Sequence, residues 1–410
     1  MQLVFERCCG LDVHKKSLTA CLRTPGPRDR RRSETRTFGT TTPELLRLAD
    51  WLTQNGCTHV AMESTGVYWK PIFNILESVC VVLLVNAHHV KVLPGRKTDV
   101  RDCEWIGELL EFGLLKPSFI PPEPIRELRD LTRYRKTLTR ERASEANRIQ
   151  KLLETANIKL ASVATDVLGA SGRAMLSALV SGERDPEQLA QLAKGTLRAK
   201  RGQLLDALSG RFTEHHAFLL GQLLAHVEHL DRAIGECSVR IEQTMRPFSQ
   251  AATQLETITG VGRRTAECLV AEMGVDMSRF PRAPNLASWT AICPGNNESA
   301  GKRRSGRMRK GNVWLKSALV EAAWAASHQR GTYLGALYAR IARRRGAKRA
   351  VVAVAHAIVI AAWHVLSKNV PYRELGPGHF DAIDKDRLKR RLLTRLNELG
   401  YEVTVTAPAA

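Results

Sequence analysis

Val79-Cys80-Val81-Val82-Leu83-Leu84-Val85 is an unbroken apolar run, and no other stretch constrains the fold as strongly. A strand covered on both faces has this pattern, so the run predicts the centre of a sheet with helices on either side. The preceding segments supply neighbours for it. Residues 4 to 10 form a short apolar strand, Leu18 to Leu22 an antiparallel return and Glu34 to Phe38 a third strand. Pro43 to Thr53 reads as a helix with Leu45, Leu46, Leu48 and Leu52 on its apolar side, and His59 to Met62 as a fourth strand. A second helix carries Val67, Tyr68, Trp69, Ile72 and Leu76, with Ser64 or Thr65 placed to cap it. A last helix starts at Asp99 and continues through Trp105, Ile106, Leu109 and Leu110.

Three antiparallel strands followed by helix, strand, helix, strand and helix is an RNase H-like α/β order. Four acids fall at its element ends. Asp12 follows the first strand, Glu63 ends the fourth, and Asp99 and Asp102 lie three apart on one helical face. Two carboxylates so close repel each other unless a cation lies between them. In an RNase H-like sheet, residues this far apart in sequence converge at one end. They would hold two ions about 4 Å apart for phosphodiester chemistry. All-oxygen ligands favour Mg2+. Four solvated acids at element ends is the other reading of the same pattern.

The remainder of the chain is strongly basic. Lysine and arginine number 62 against 41 acids, a formal charge of +21, which attracts a polyanion such as DNA, RNA or both. Nine cysteines without a CxxC pair or zinc-finger spacing read as reduced core thiols of a cytosolic protein. The N-terminus has no basic leader and long apolar run, so export is not expected. Ala350 to Leu366, with His356 and His364, falls just short of a bilayer span. It reads as a buried helix with two packing histidines, and no membrane partner is expected.

Four prolines between Pro117 and Pro124 mark a boundary. The expected division is an α/β domain at 1–116, a helical coiled-coil arm at 123–247, a mainly α-helical C-terminal domain at 250–370, and a C-terminal helix and tail at 371–410. The arm comprises a long helix over 125–159 and a second with Leu220, Leu223, Val227, Leu230, Ile234, Cys237, Ile241 and Met245 at gaps of three or four, with shorter helices over 169–210 between them. The two stripes fit an antiparallel arm, an oligomer interface or packing within one domain.

Thr259 to Ala266 places Gly260 and Gly262 before an apolar helix, with Arg263 and Arg264 at its start. Amides of such a turn can bind phosphate, and the segment resembles a helix-hairpin-helix nucleic-acid module, though a plain helix turn has the same pattern. Ser299 lies in a polar, glycine-flanked loop beside Lys302, Arg303, Arg304, Arg307, Arg309 and Lys310, a segment without acids. Arg343, Arg344 and Arg345 form a second basic group. Both suit contact with a nucleic-acid backbone. No local Ser-His-Asp pattern activates Ser299, so its spacing alone describes a loop hydroxyl or phosphate contact.

Gly10-Leu11-Asp12, Glu63-Ser64-Thr65-Gly66, Asp99-Val100-Arg101-Asp102, Thr259 to Gly262, Pro294 to Lys302 and Lys310-Gly311-Asn312 together resemble the DEDD-type insertion-sequence transposases related to the Piv DNA invertases. The resemblance implies a RuvC-like N-terminal domain, a coiled-coil middle and a serine-bearing C-terminal transposase domain. It further implies that Asp12, Glu63, Asp99 and Asp102 bind magnesium and that Ser299 attacks the scissile phosphate, giving a covalent protein-DNA intermediate. Donor and target double-stranded DNA, a structured noncoding guide RNA, and a dimer assembling to a tetramer are the partners it implies. The family sets its serine before glycine, whereas Ser299 precedes Ala300 and then Gly301. Ser305-Gly306 is the competing choice.

Two other functions share these features. A RuvC-like junction resolvase would use metal-activated water, with Ser299 only a phosphate contact. A non-catalytic nucleic-acid-binding protein would cleave nothing. A covalent DNA adduct separates the first reading from both.

Overall fold

The computed structural model describes residues 2–27, 30–64, 66–86, 90, 102–293, 297–305, 308, 311–383 and 385–403. The chain divides into two compact units, residues 1–120 and 121–410.

The first unit contains β1 (Cys8–Val13), β2 (Ser17–Pro25), β3 (Arg31–Gly39), α1 (Thr42–Gln54), β4 (His59–Glu63), α2 (Trp69–Leu76), β5 (Val81–Val85) and α3 (Asp102–Glu111). Its sheet has the order β3-β2-β1-β4-β5, antiparallel across β3-β2-β1 and parallel across β1-β4-β5. This mixed sheet is compatible with the expected RNase H-like α/β class. Alternation along the strands builds two cores. Cys9, Leu11, Val13, Val60 and Met62 pack with Leu45, Leu48, Leu52, Ile72 and Leu76 of α1 and α2. On the opposite face Cys8, Ala61 and Val85 pack with Trp105, Ile106, Leu109 and Leu110 of α3.

The central strand is β1, not the apolar run after Ser78. β5 is the outermost strand, with Val81 56% exposed and only Leu84 and Val85 buried. Its outer side is blunted where Ser118 N–H donates to the Leu84 carbonyl (2.6 Å) and Val85 bridges to Pro117. Continuous hydrophobicity reports two covered faces, and an edge strand can have those while its third side is closed by a loop. The expected cap at Ser64 does not form. Ser64 N–H extends the strand ladder to the Val85 carbonyl (2.9 Å), and α2 begins later, with Tyr68 at its N-cap and no side-chain cap bond. Thr65 lies outside the described residues.

The second unit contains α4 (Glu123–Thr155), α5 (Leu160–Val163), α6 (Ala170–Val180), α7 (Pro186–Gln191), α8 (Arg201–Leu208), α9 (Glu214–Met245), α10 (Ser249–Glu256), α11 (Arg263–Met273), α12 (Ala283–Trp289), β6 (Asn297–Ser299), β7 (Lys302–Ser305), α13 (Val313–Ser327), α14 (Tyr333–Arg345), α15 (Ala347–Lys368), α16 (His379–Ile383) and α17 (Lys385–Glu398). The two long helices run antiparallel, as the pairs Arg142–Asp231 and Glu145–His226 establish. Ile149, Leu153, Leu220 and Val227 continue into a core with Met175, Leu176, Leu179, Leu189, Leu204 and Leu208 of the intervening short helices.

α15 is long and apolar enough to cross a membrane by composition alone. One face of it, Ala350, Val354, Ile358, Val359, Ala362 and Val365, is buried, and it packs against α10, α12, α13 and α14 as a core helix. His356 is half-buried, and desolvation lowers its pKa. His364 is exposed beside the Trp363 ring (4.9 Å), so it is not the packing histidine expected.

Candidate active site

Asp12 and Glu63 end up side by side because β1 and β4 are parallel and in register. Leu11 lies opposite Met62, which puts the next residues, Asp12 and Glu63, together at the C-terminal end of the sheet. Both belong to the alternate set that faces α3, since their neighbours Leu11 and Met62 face α1 and α2. His14 Nε2 lies 3.2 Å from Asp12 Oδ2, and the Asp12 side chain is 32% exposed.

α3 crosses this face at unusually close range. A Cβ on Gly10 would lie 2.1 Å from the Cys103 carbonyl oxygen and 2.4 Å from the Gly107 amide nitrogen. Glycine two residues before Asp12 therefore lets the first turn of α3, which begins at Asp102, settle against β1 near the acidic strand ends. The far end of α3 is anchored by Glu111. This fully buried carboxylate accepts from Arg23 Nε, while Arg31 Nε approaches it at 2.6 Å out of hydrogen-bonding line. Sequence reasoning missed Glu111, Arg23 and Arg31. Only a glutamate among the apolar positions Leu109, Leu110 and Leu115 hinted at it.

The structure thus places Asp12 and Glu63 at the ends of adjacent strands on the face that α3 covers, and Asp102 in the first turn of α3, while Asp99 lies outside the described residues. Among the described residues no group of three or more His, Cys, Asp or Glu side chains is close enough to hold a metal. The donors present are carboxylate oxygens, the type that suits magnesium. Nearby thiols are not rival nucleophiles. Burial pushes Cys8 up to about 12 and Cys103 up to about 11, so both stay protonated.

In the second unit Ser299 is the last residue of β6, in a hairpin with β7, rather than in an irregular loop. Ala300 and Gly301 make the turn, both at positive φ (50° and 72°), as a two-residue type I′ connection requires. Lys302 is exposed, and Arg303 and Arg304 follow it in β7. Arg307, Arg309 and Lys310 lie outside the described residues.

The glycine turn does join two helices, α10 and α11. Gly260, at φ +84°, is required by packing: a Cβ would lie 2.4 Å from the Ala322 carbonyl oxygen and 2.7 Å from Ala326 of α13. Gly262 is the N-cap of α11 with open space around it. Arg263 pairs with Glu256 (3.2 Å) and Glu267 (3.1 Å), whereas Arg264 lines a cavity of about 210 Å³ between α4, α11 and α13. Arg343, Arg344 and Arg345 are exposed in the last turn of α14, where cations also complement the helix dipole.

Carboxylates at the ends of adjacent parallel strands, in a chain with a formal charge of +21, fit a protein that acts on nucleic acid. The comparisons narrow that class. Residues 9–158 match the DEDD model for IS110 transposases, described as a transposase, and residues 252–339 match a model described as "Transposase IS116/IS110/IS902 family". The chain is 25% identical over 332 residues to the "Transposase for insertion sequence element IS1111A" of Coxiella burnetii (strain RSA 493 / Nine Mile phase I), covering 78% of this chain and 79% of that one. It is 24% identical over 287 residues to the "Putative transposase y4rJ" of Sinorhizobium fredii (strain NBRC 101917 / NGR234), covering 67% of each. The chain belongs to the IS110/IS116 family of insertion-sequence transposases.

Proposed function

We propose that this transposase is an RNA-guided recombinase that cuts and rejoins donor and target DNA through a covalent bond to Ser299. The observation that carries the proposal is that Asp12 and Glu63 end adjacent parallel strands on the sheet face against which α3 packs, with Asp102 in the first turn of that helix. With Asp99, these carboxylates would hold Mg2+, which when bound supplies Lewis-acid stabilisation of charge on the phosphate.

Ser299 Oγ attacks the scissile phosphorus. A serine–phosphorus bond forms, the bond to the leaving deoxyribose oxygen breaks, and the Ser299 proton passes through a base to that oxygen. A strand hydroxyl then attacks the phosphoserine diester in the reverse sense, rejoining DNA and restoring the serine without net bond loss. The hairpin supports this role by setting Ser299 beside a tight turn, with Lys302 across the ladder from it. The basic clusters serve two polyanions, DNA and a structured noncoding RNA, and the active assembly is a dimer pairing into a tetramer.

The test incubates purified protein with Mg2+, donor and target DNA and the noncoding RNA of its own element. A denaturation-resistant DNA adduct on Ser299 is expected, absent in Ser299→Ala and greatly reduced in Asp12→Ala. Normal strand exchange by Ser299→Ala overturns the serine mechanism, and an adduct on Ser305 overturns the assignment. Cleavage without any adduct identifies a water-using nuclease. Strand exchange independent of RNA removes the guide.

A further inference from the structure

The chain leaves α12 at Thr290 and Ala291 and returns at Gly311 about twenty residues later, having carried Ser299 in between. The two ends of this excursion touch. A Cβ on Gly311 would lie 2.6 Å from the Ala291 Cβ and 3.0 Å from the Thr290 carbonyl oxygen, and Ala291 itself turns at φ +55°. The loop is therefore closed at its neck, and the residue after the neck, Asn312, decides how the neck is held.

Asn312 faces two ways. Its side-chain oxygen caps α13, accepting from the Trp314 (3.0 Å) and Leu315 (3.1 Å) amides, while its Nδ2 donates to Glu272 Oε2 at 2.5 Å. Glu272 is wholly buried. Arg133 of the long helix α4 donates to both of its oxygens (2.7 and 2.8 Å), and Arg129 lies 3.5 Å from Oε2 while donating to the Ala271 and Glu272 carbonyls at the end of α11. Arg133 and Arg140 also clasp the Trp314 ring, at 5.9 and 5.0 Å from its centre. A capping asparagine needs none of this, because its oxygen alone does the capping. A buried carboxylate is costly unless paired, and here one partner of the pair is the neck of the serine loop.

We propose that Glu272 is a positioning residue: held by Arg129 and Arg133 of α4, it fixes through Asn312 the base of the loop that presents Ser299. The long helical arm is thereby coupled mechanically to the hairpin. The effect on catalysis rests on the recombinase reading above, whereas the effect on the loop does not.

The test exchanges the polarity of one hydrogen bond. Asn312→Asp keeps an equally good cap, favoured further by the helix dipole, but opposes two carboxylates. Combining it with Glu272→Gln restores an amide donor against a carboxylate acceptor in the reverse direction. Two readouts follow each variant: native-state trypsin cleavage after the basic residues of 302–310, and the single-turnover rate of Ser299 adduct formation. Asn312→Asp is expected to speed cleavage and slow the adduct at least tenfold with unchanged DNA affinity, and the double variant, which regains the bond to residue 312 but gives up the carboxylate that Arg129 and Arg133 hold, to recover part of both losses. Should Asn312→Asp not fold, Asn312→Ser, which keeps the capping oxygen and deletes the donor, has the same expectation. Unchanged cleavage in the single variant, or no recovery in the double, overturns the proposal. Wild-type protein that forms no adduct sinks the recombinase reading alone, and the trypsin rates then decide the positioning role.

Discussion

Gly10 of β1 and Gly107 of α3 lie so close that a Cβ on Gly10 would meet the Gly107 amide nitrogen at 2.4 Å, and both neighbours in that contact are backbone. Backbone cannot swing aside as a flexible side chain can. Gly10→Ala is therefore expected to push α3 off the sheet and destabilise the first unit by about 3 kcal/mol, the upper end of overpacking costs. Calorimetry measures it. Because α3 starts at Asp102, DNA cleavage should fall further than the folded fraction does. A variant with wild-type melting and cleavage would show that α3 does not need this closeness.

Glu111 anchors the other end of the same helix between Arg23 and Arg31. Glu111→Gln leaves two partly buried guanidinium groups facing a neutral amide that is itself shut off from water. A loss of about 3 to 5 kcal/mol is expected, the usual cost of breaking a buried pair from one side. Replacing all three residues together by apolar ones of similar volume should cost much less. Chemical denaturation of the single and triple variants measures both.

How far the site could be read from sequence follows from these contacts. Gly10-Leu11-Asp12 marked a strand ending in an acid, and strand periodicity placed Asp12 and Glu63 at element ends, because alternation is a local property. Which strands are neighbours is not local. The run at Val79 to Val85 looked central, yet β5 is the edge, since Pro117 and Ser118 cover a side that composition does not register. The hairpin at Ser299 was hidden for a related reason. Its strands are short and charged, and only the pair Ala300-Gly301 at the turn signalled it. Glu267 and Glu272 were invisible as buried residues, and Glu111 was only hinted at by its apolar neighbours, because a glutamate's burial depends on arginines far away in sequence, here Arg135, Arg133 and Arg23.

Asp231 of α9 supplies a pH-dependent clamp on the arm. Its burial works to raise the carboxyl pKa, but hydrogen bonds from Arg142 and Arg173, with their charges, outweigh it and hold the pKa below the ordinary 3.8. A folded pKa lower than the unfolded one means the pair stabilises the arm above pH 3.8 and loses that contribution as pH falls through the depressed value. Wild type should therefore melt above Asp231→Asn from pH 5 to 8, with the difference shrinking below pH 3.8. Thermal melts of both proteins across that range check it. A difference that persists unchanged at the acid end would mean the arginines are not what the carboxylate contributes.

Ala300 follows Ser299 at a position where the backbone itself asks for glycine. It sits at φ +50°, a region that costs an L-residue about 1 to 2 kcal/mol. Glycine there gives back part of that gain through the greater freedom of its unfolded chain, so Ala300→Gly should tighten the hairpin by about 1 kcal/mol. Native-state cleavage after Lys302 and Arg303 proceeds through local opening, so the variant should be cut about fivefold more slowly. Ala300→Val, with a branched side chain in the same conformation, should be cut faster than wild type. If the two substitutions changed cleavage in the same direction, the turn at Ala300 and Gly301 would not be what holds Ser299 in its strand.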